Sequence, residues 1–147
     1  MKKFKFSLQS LLDLRAKQLE EKQIEFGKLQ FVMKALMTEL ENLQNEVVNS
    51  KKYLENLLAA GGNISVDLIG ANNQHIHQRE CDIVKQIDKI NAHKILLDEK
   101  QQEMIEAHKA KSMLEKLKEK QYKTFLKELD LTERKELDEI GIVKYAR

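Results

Sequence analysis

Apolar residues recur at every seventh position along the first third of the chain: Leu12, Leu19, Phe26, Met33, Leu40, Val47 and Leu54. A companion series, Leu8, Arg15, Lys22, Leu29, Leu36, Leu43, Ser50 and Leu57, is apolar at five of its eight positions. The two series alternate in steps of three and four, which is the a/d rhythm of a coiled-coil helix. The pattern runs from about Leu8 to Leu57, roughly 75 Å of helix at 1.5 Å per residue, and predicts a first helix over about 5–59. Gly27 falls inside it, at a cost of up to about 1 kcal/mol relative to alanine.

The second half repeats the rhythm with Ile69, Ile76, Ile83, Ile90, Leu97 and Met104, and Ile87 fits a companion position. Beyond Met104 the expected core line meets Lys111 and Lys118. The apolar stripe then reads as slipping, first to Ala107, Ala110, Leu114 and Leu117, then to Tyr122, Phe125 and Leu129. Such slips alter supercoiling without ending a helix. Arg15, Lys22, Lys94 and Gln101 are the polar residues this reading places in the seam.

Between the halves stands Gly61-Gly62-Asn63, the only glycine pair in a chain without proline. Glycine accepts the left-handed backbone that closes a helix. Ser65 is a candidate cap for a short helical turn within about 60–72, and Asn72 or Asn73 for a long second helix over about 73–141. The fold class expected is all-α, a long two-helix antiparallel coiled-coil hairpin, with residues 1–147 as one coiled-coil domain. Counting register from the bend sets residue 8 beside residues 118–124, so the second helix is longer and overhangs. From about Phe125 onward its apolar residues (Leu126, Leu129, Leu131, Leu137, Ile140, Val143) lack a partner in the hairpin. One seam also leaves little margin over the entropy of ordering, so a partner is expected to complete the fold.

Composition supports this picture. Charged residues make up 34% of the chain and aromatics 5%, and tryptophan is absent, a balance typical of long helices rather than globular domains. The formal charge of +2 implies no overall pull toward nucleic acid. No run of about 18 apolar residues offers a membrane span. The N-terminal MKKFKFSLQS turns polar before any apolar signal region forms, and Cys81 stands alone, which fits a reducing compartment. A cytoplasmic protein is expected.

Chemistry is sparse. Phosphate-binding glycine loops and nucleophile elbows are missing, so neither an enzyme nor a cofactor is expected. His77 and Cys81 share a helix face at metal-ligand spacing, but His75 points elsewhere and no second cysteine exists; no metal is expected. Residues 109–127 hold seven lysines against Glu115 and Glu119. This excess is read first as a solvated face and next as a contact for an acidic partner, with lipid or nucleic acid behind.

The chain ends carry a resemblance. FKFSLQSLLDLRAKQLEEKQ (4–23) is similar to the opening of the FliJ family: two aromatics around a basic residue, then L-x-x-L-L-x-L-R. MLEKLKEKQYKTFLKELDLTERKELDEIG (113–141) resembles its closing stretch, where E-x-K-x-x-D-E-[IF] follows a basic run. The resemblance implies a non-enzymatic stalk of the flagellar type III export apparatus, peripheral at the inner face of the cell membrane. Its paired ends would enter the hexameric export ATPase (FliI-like), promote ring assembly and link it to the export gate (FlhA-like). Some family members also bind substrate chaperones. Carried onto this chain, the ring-facing residues are Phe4, Phe6, Leu8, Glu133, Arg134, Lys135, Leu137, Asp138, Glu139 and Ile140. The gate stripe maps to Ile76, Glu80, Ile83 and Ile87, where Glu80 replaces an apolar residue and Ile87 a histidine. No nucleic-acid partner is expected, and the isolated chain is expected to be a monomer. The alternatives are a parallel coiled-coil structural or adaptor protein, with Gly61-Gly62 as its hinge, and the stalk of a virulence-type secretion ATPase.

Overall fold

The computed structural model describes residues 2–146. They form two helices, α1 (Gln9–Ala59) and α2 (Val66–Tyr145), with no strand among them. The helices pack antiparallel within the one chain, as a helical hairpin. The chain divides into two compact units: a terminal unit of Met1–Gln23 with Glu103–Arg147, and a bend unit of Ile24–Gln102. In a two-helix pair each residue meets only the few opposite it, so contacts group locally along the seam.

In the bend unit, α1 ends where Gly61 takes φ +68°, the left-handed geometry that costs a side-chain-bearing residue roughly 1–2 kcal/mol. A Cβ at Gly61 would meet nothing within 4 Å, so the cost there is conformational. Gly62 has no positive φ. Gly61→Ala is therefore expected to lower stability by about 1 kcal/mol, and Gly62→Ala to change it by less than about 0.5 kcal/mol; urea unfolding midpoints distinguish them.

The separate helical turn expected over 60–72 is absent. Ser65 instead begins the long helix itself: its carbonyl accepts the Ile69 amide at 3.2 Å, as an N-cap carbonyl does. Asn72 is no cap. It sits in the seam and donates its side-chain amide to the Ser50 carbonyl at 3.2 Å.

Every a/d residue of α1 in this unit, from Phe26 to Leu57, is buried or half-buried, and opposite lie Ile69, Ile76, Ile83, Ile90 and Leu97. The companion line of α2 differs from the expected one. It runs through Asn72, Arg79, Gln86, His93 and Lys100, one residue before Ile87, Lys94 and Gln101, all three of which are exposed. Gln86 is the most enclosed polar side chain, 3% exposed. It donates to the Leu36 carbonyl at 2.9 Å and reaches Glu39 at 3.5 Å. His93 Nε2 lies 2.7 Å from the Leu29 carbonyl. Arg79 Nε lies 3.2 Å from Glu46 without a hydrogen bond, and Lys100 binds Glu25 at 2.9 Å. These contacts offset the desolvation that burying polar groups costs. Two flanks were open to the helix, one holding Ile87 with Lys94 and Gln101 and one polar throughout, and the second found partners across the seam.

In the terminal unit, Leu12 and Leu19 are buried. The heptad line of α2 does not slip. Lys111 and Lys118 keep their places in it, half-buried, and Phe125 follows, whereas Leu117 and Tyr122 are exposed. The lysine stems lie in the seam and their ammonium groups reach its edge: Lys118 donates to Gln9 at 2.7 Å and Lys111 pairs with Glu115 at 3.5 Å. Lys22 and Glu103 form a cross-seam pair at 2.9 Å.

Candidate partner-docking surfaces

The terminal unit owes its shape at the chain start to a period-two pattern. α1 begins at Gln9 rather than near residue 5, so the residues before it are not helical. Lys3, Phe4, Lys5 and Phe6 alternate, and an extended segment sends alternate side chains to opposite sides. Lys3 and Lys5 are exposed, Phe4 is half-buried and Phe6 is buried. Phe4 meets Tyr122 edge-on at 5.3 Å and Phe125 at 5.6 Å. Because extended chain advances about 3.3 Å per residue and helix only 1.5 Å, these few residues cover two to three further turns of α2.

The bare part of α2 is correspondingly shorter than register counting suggested. Phe125 is covered by Phe4, and Leu129 is half-buried beside it; from residue 130 every described residue is exposed. The helix nevertheless continues to Tyr145, beyond the end expected near 141. Its apolar residues do not form one stripe. At about 100° per residue, Leu137, Ile140, Ile142, Val143 and Tyr145 point to all sides. A helix with apolar groups all round is suited to enclosure rather than to lying on a surface. Glu133, Lys135, Asp138 and Glu139 are exposed between them, and Arg134 pairs with Asp130 at 3.4 Å.

The ring-facing residues carried over from the ends thus fall into two groups. Glu133 to Ile140 stand open, with Leu137 67% and Ile140 59% exposed. Phe6, 7% exposed, cannot present its ring to a partner, and Phe4 is engaged with α2; only Leu8, at the edge, is exposed. Ile142 and Tyr145, exposed on the same segment, are not among the residues carried over.

The gate stripe, in the bend unit, is also divided. Ile76 is buried and Ile83 half-buried in the seam, because both belong to its heptad line. Glu80 is exposed and pairs with Lys51 at 3.4 Å. Ile87 is exposed, with Val84 beside it on the outer face of α2. Of the four, Glu80 and Ile87 are accessible to a partner.

No metal-type cluster of three or more His, Cys, Asp or Glu side chains occurs among the described residues. His77 Nε2 and Cys81 Sγ lie 3.9 Å apart on the exposed face. No helix among those residues is long and apolar enough to cross a membrane.

No curated protein and no solved structure matches the chain. The family model described as flagellar FliJ protein matches residues 4–147, both chain ends and the hairpin between them. The chain therefore belongs to the FliJ family, and it is a component of the flagellar export apparatus.

Proposed function

We propose that this chain is the stalk of the export ATPase. The free end of α2 enters the ring of a FliI-like hexamer, promotes its assembly and links it to an FlhA-like export gate at the inner face of the cell membrane. The chain acts as a monomer without catalysis of its own, and substrate chaperones are further partners. The observation carrying this reading is the α2 segment from residue 130 to Tyr145, helical and bare, with apolar side chains on every side. Such a segment gains most from a partner that surrounds it. Glu80 and Ile87, with Val84, form the accessible part of the gate contact.

The test is a chain ending at Leu129, which keeps the aromatic contacts of Phe4. It is expected to retain the helicity and thermal midpoint of the hairpin and to lose stimulation of the export ATPase. Undiminished stimulation by the shortened chain overturns the proposal.

A further inference from the structure

The lysines of the terminal unit are ordered in a way that neither the seam nor the bare tail explains. Lys109, Lys116, Lys120, Lys123, Lys127 and Arg134 follow one another at intervals of seven, four, three, four and seven. At about 100° per residue they fall within a narrow sector of α2. That sector is opposite the seam residues Lys111, Lys118 and Phe125. The column extends for roughly 37 Å of helix. Lys109, Lys123 and Arg134 each have an acidic neighbour on their own helix. Lys116, Lys120 and Lys127 have no ion pair among the described residues.

Burying lysines in a folded contact is costly, and a shape-specific protein interface is normally anchored by buried aromatic residues and arginine. The column has no aromatic, and its one arginine is already paired. Nucleic-acid recognition would call for stacking side chains or arginine forks, and the column lacks both. What it offers is a straight line of flexible point charges, all aimed the same way. We infer that this column lies along an anionic lipid surface, its ammonium groups among phosphate headgroups. A planar, fluid layer of negative charge can meet all the lysines at once without a matching shape. With no membrane-crossing helix among the described residues, the association is peripheral and electrostatic, and each lysine near the surface adds to it. Its three unpaired lysines, Lys116, Lys120 and Lys127, all precede the apolar tail, which Arg134 alone of the column enters, so the lipid contact stands apart from the ring-binding proposal.

The test is flotation of the full-length chain with vesicles of phosphatidylcholine, alone or with about a third phosphatidylglycerol. Binding is expected to the anionic vesicles, to be absent on the neutral ones, and to fade as salt rises from about 0.1 M to about 0.5 M. Replacing Lys116, Lys120 and Lys127 together by glutamine is expected to weaken the partition on the order of a hundredfold. A control triple, Lys28→Gln, Lys34→Gln and Lys52→Gln, removes equal charge from exposed positions of the bend unit and should lose far less. Circular dichroism confirms that both triples remain helical. Equal losses in the two triples overturn the proposal, since net charge alone would then account for binding. So does a chain that ignores anionic vesicles while the column triple selectively loses binding to duplex DNA or polyglutamate.

Discussion

Phe6→Ala is expected to destabilise the terminal unit by about 3 kcal/mol and to bare α2 as far back as Tyr122. Phe6 is one of the few enclosed apolar side chains of that unit, with Leu12 and Leu19. It also pins a segment that helical hydrogen bonds do not support, so its loss releases Phe4 from Tyr122 and Phe125 as well; such ring contacts contribute about 0.5–1.5 kcal/mol each. Amide hydrogen exchange by residue is the measurement. Protection should fall in the α2 segment 117–129 and stay unchanged in the bend unit around Gln86 and Ile90. Phe6→Leu, which keeps most of the volume, should lose under about 1.5 kcal/mol. Unchanged protection over 117–129 in the alanine variant contradicts the packing described.

The double substitution Leu137→Asp with Ile140→Asp is expected to leave folding untouched and to abolish ring stimulation. Both side chains are mostly exposed, so the unfolding midpoint should move by no more than about 0.5 kcal/mol. Buried in a partner, central apolar anchors carry about 2 kcal/mol or more each, so the pair should raise the half-maximal concentration for ATPase stimulation on the order of a thousandfold. Phe31→Asp with Ile95→Asp, exposed in the bend unit, serves as control and should leave stimulation intact. If the control pair proves as damaging as the tail pair, the tail is not the point of entry.

A smaller gain is expected at Gly27. It lies within α1 with open space around its missing Cβ, so Gly27→Ala should raise stability by up to about 1 kcal/mol in thermal unfolding.

The hairpin was legible because α1 states its seam twice, in the Leu12 and Leu29 series, and because a left-handed glycine marks the turn. The companion line of α2 was not legible. From Ile83 the rhythm allows either Gln86 or Ile87 next, and apolarity favours Ile87. The outcome depends on carbonyls and carboxylates of α1 that Gln86, His93 and Lys100 reach across the seam, which periodicity within one helix cannot report. The apparent slip at Lys111 and Lys118 had a related cause: a lysine scores as polar although its stem fills a seam position. The chain start was misread for a different reason. KKFKF has the period of a strand, and a helix-wide heptad reading extended over it. The candidate tail was found by register counting, but its boundary moved from Phe125 to residue 130 because extended chain covers more distance per residue than helix does.

The polar companion line has a mechanical corollary. Asn72, Gln86 and His93 hold main-chain carbonyls, which recur identically at every turn of α1, so a shift of one heptad would hand each of them an equivalent acceptor. The acidic side chains are not interchangeable in this way. Moving by seven residues would set Gln18 or Val32 where Lys100 now finds Glu25, and Val32 is one of the two residues that could replace Glu39 beside Gln86. Alignment of the two arms is thus indexed by a few carboxylates at the rim, while the ladder beneath them tolerates sliding. Glu25→Gln with Glu39→Gln should leave the helices intact and blur their mutual offset, detectable as a second population of distances between spin labels on the two arms.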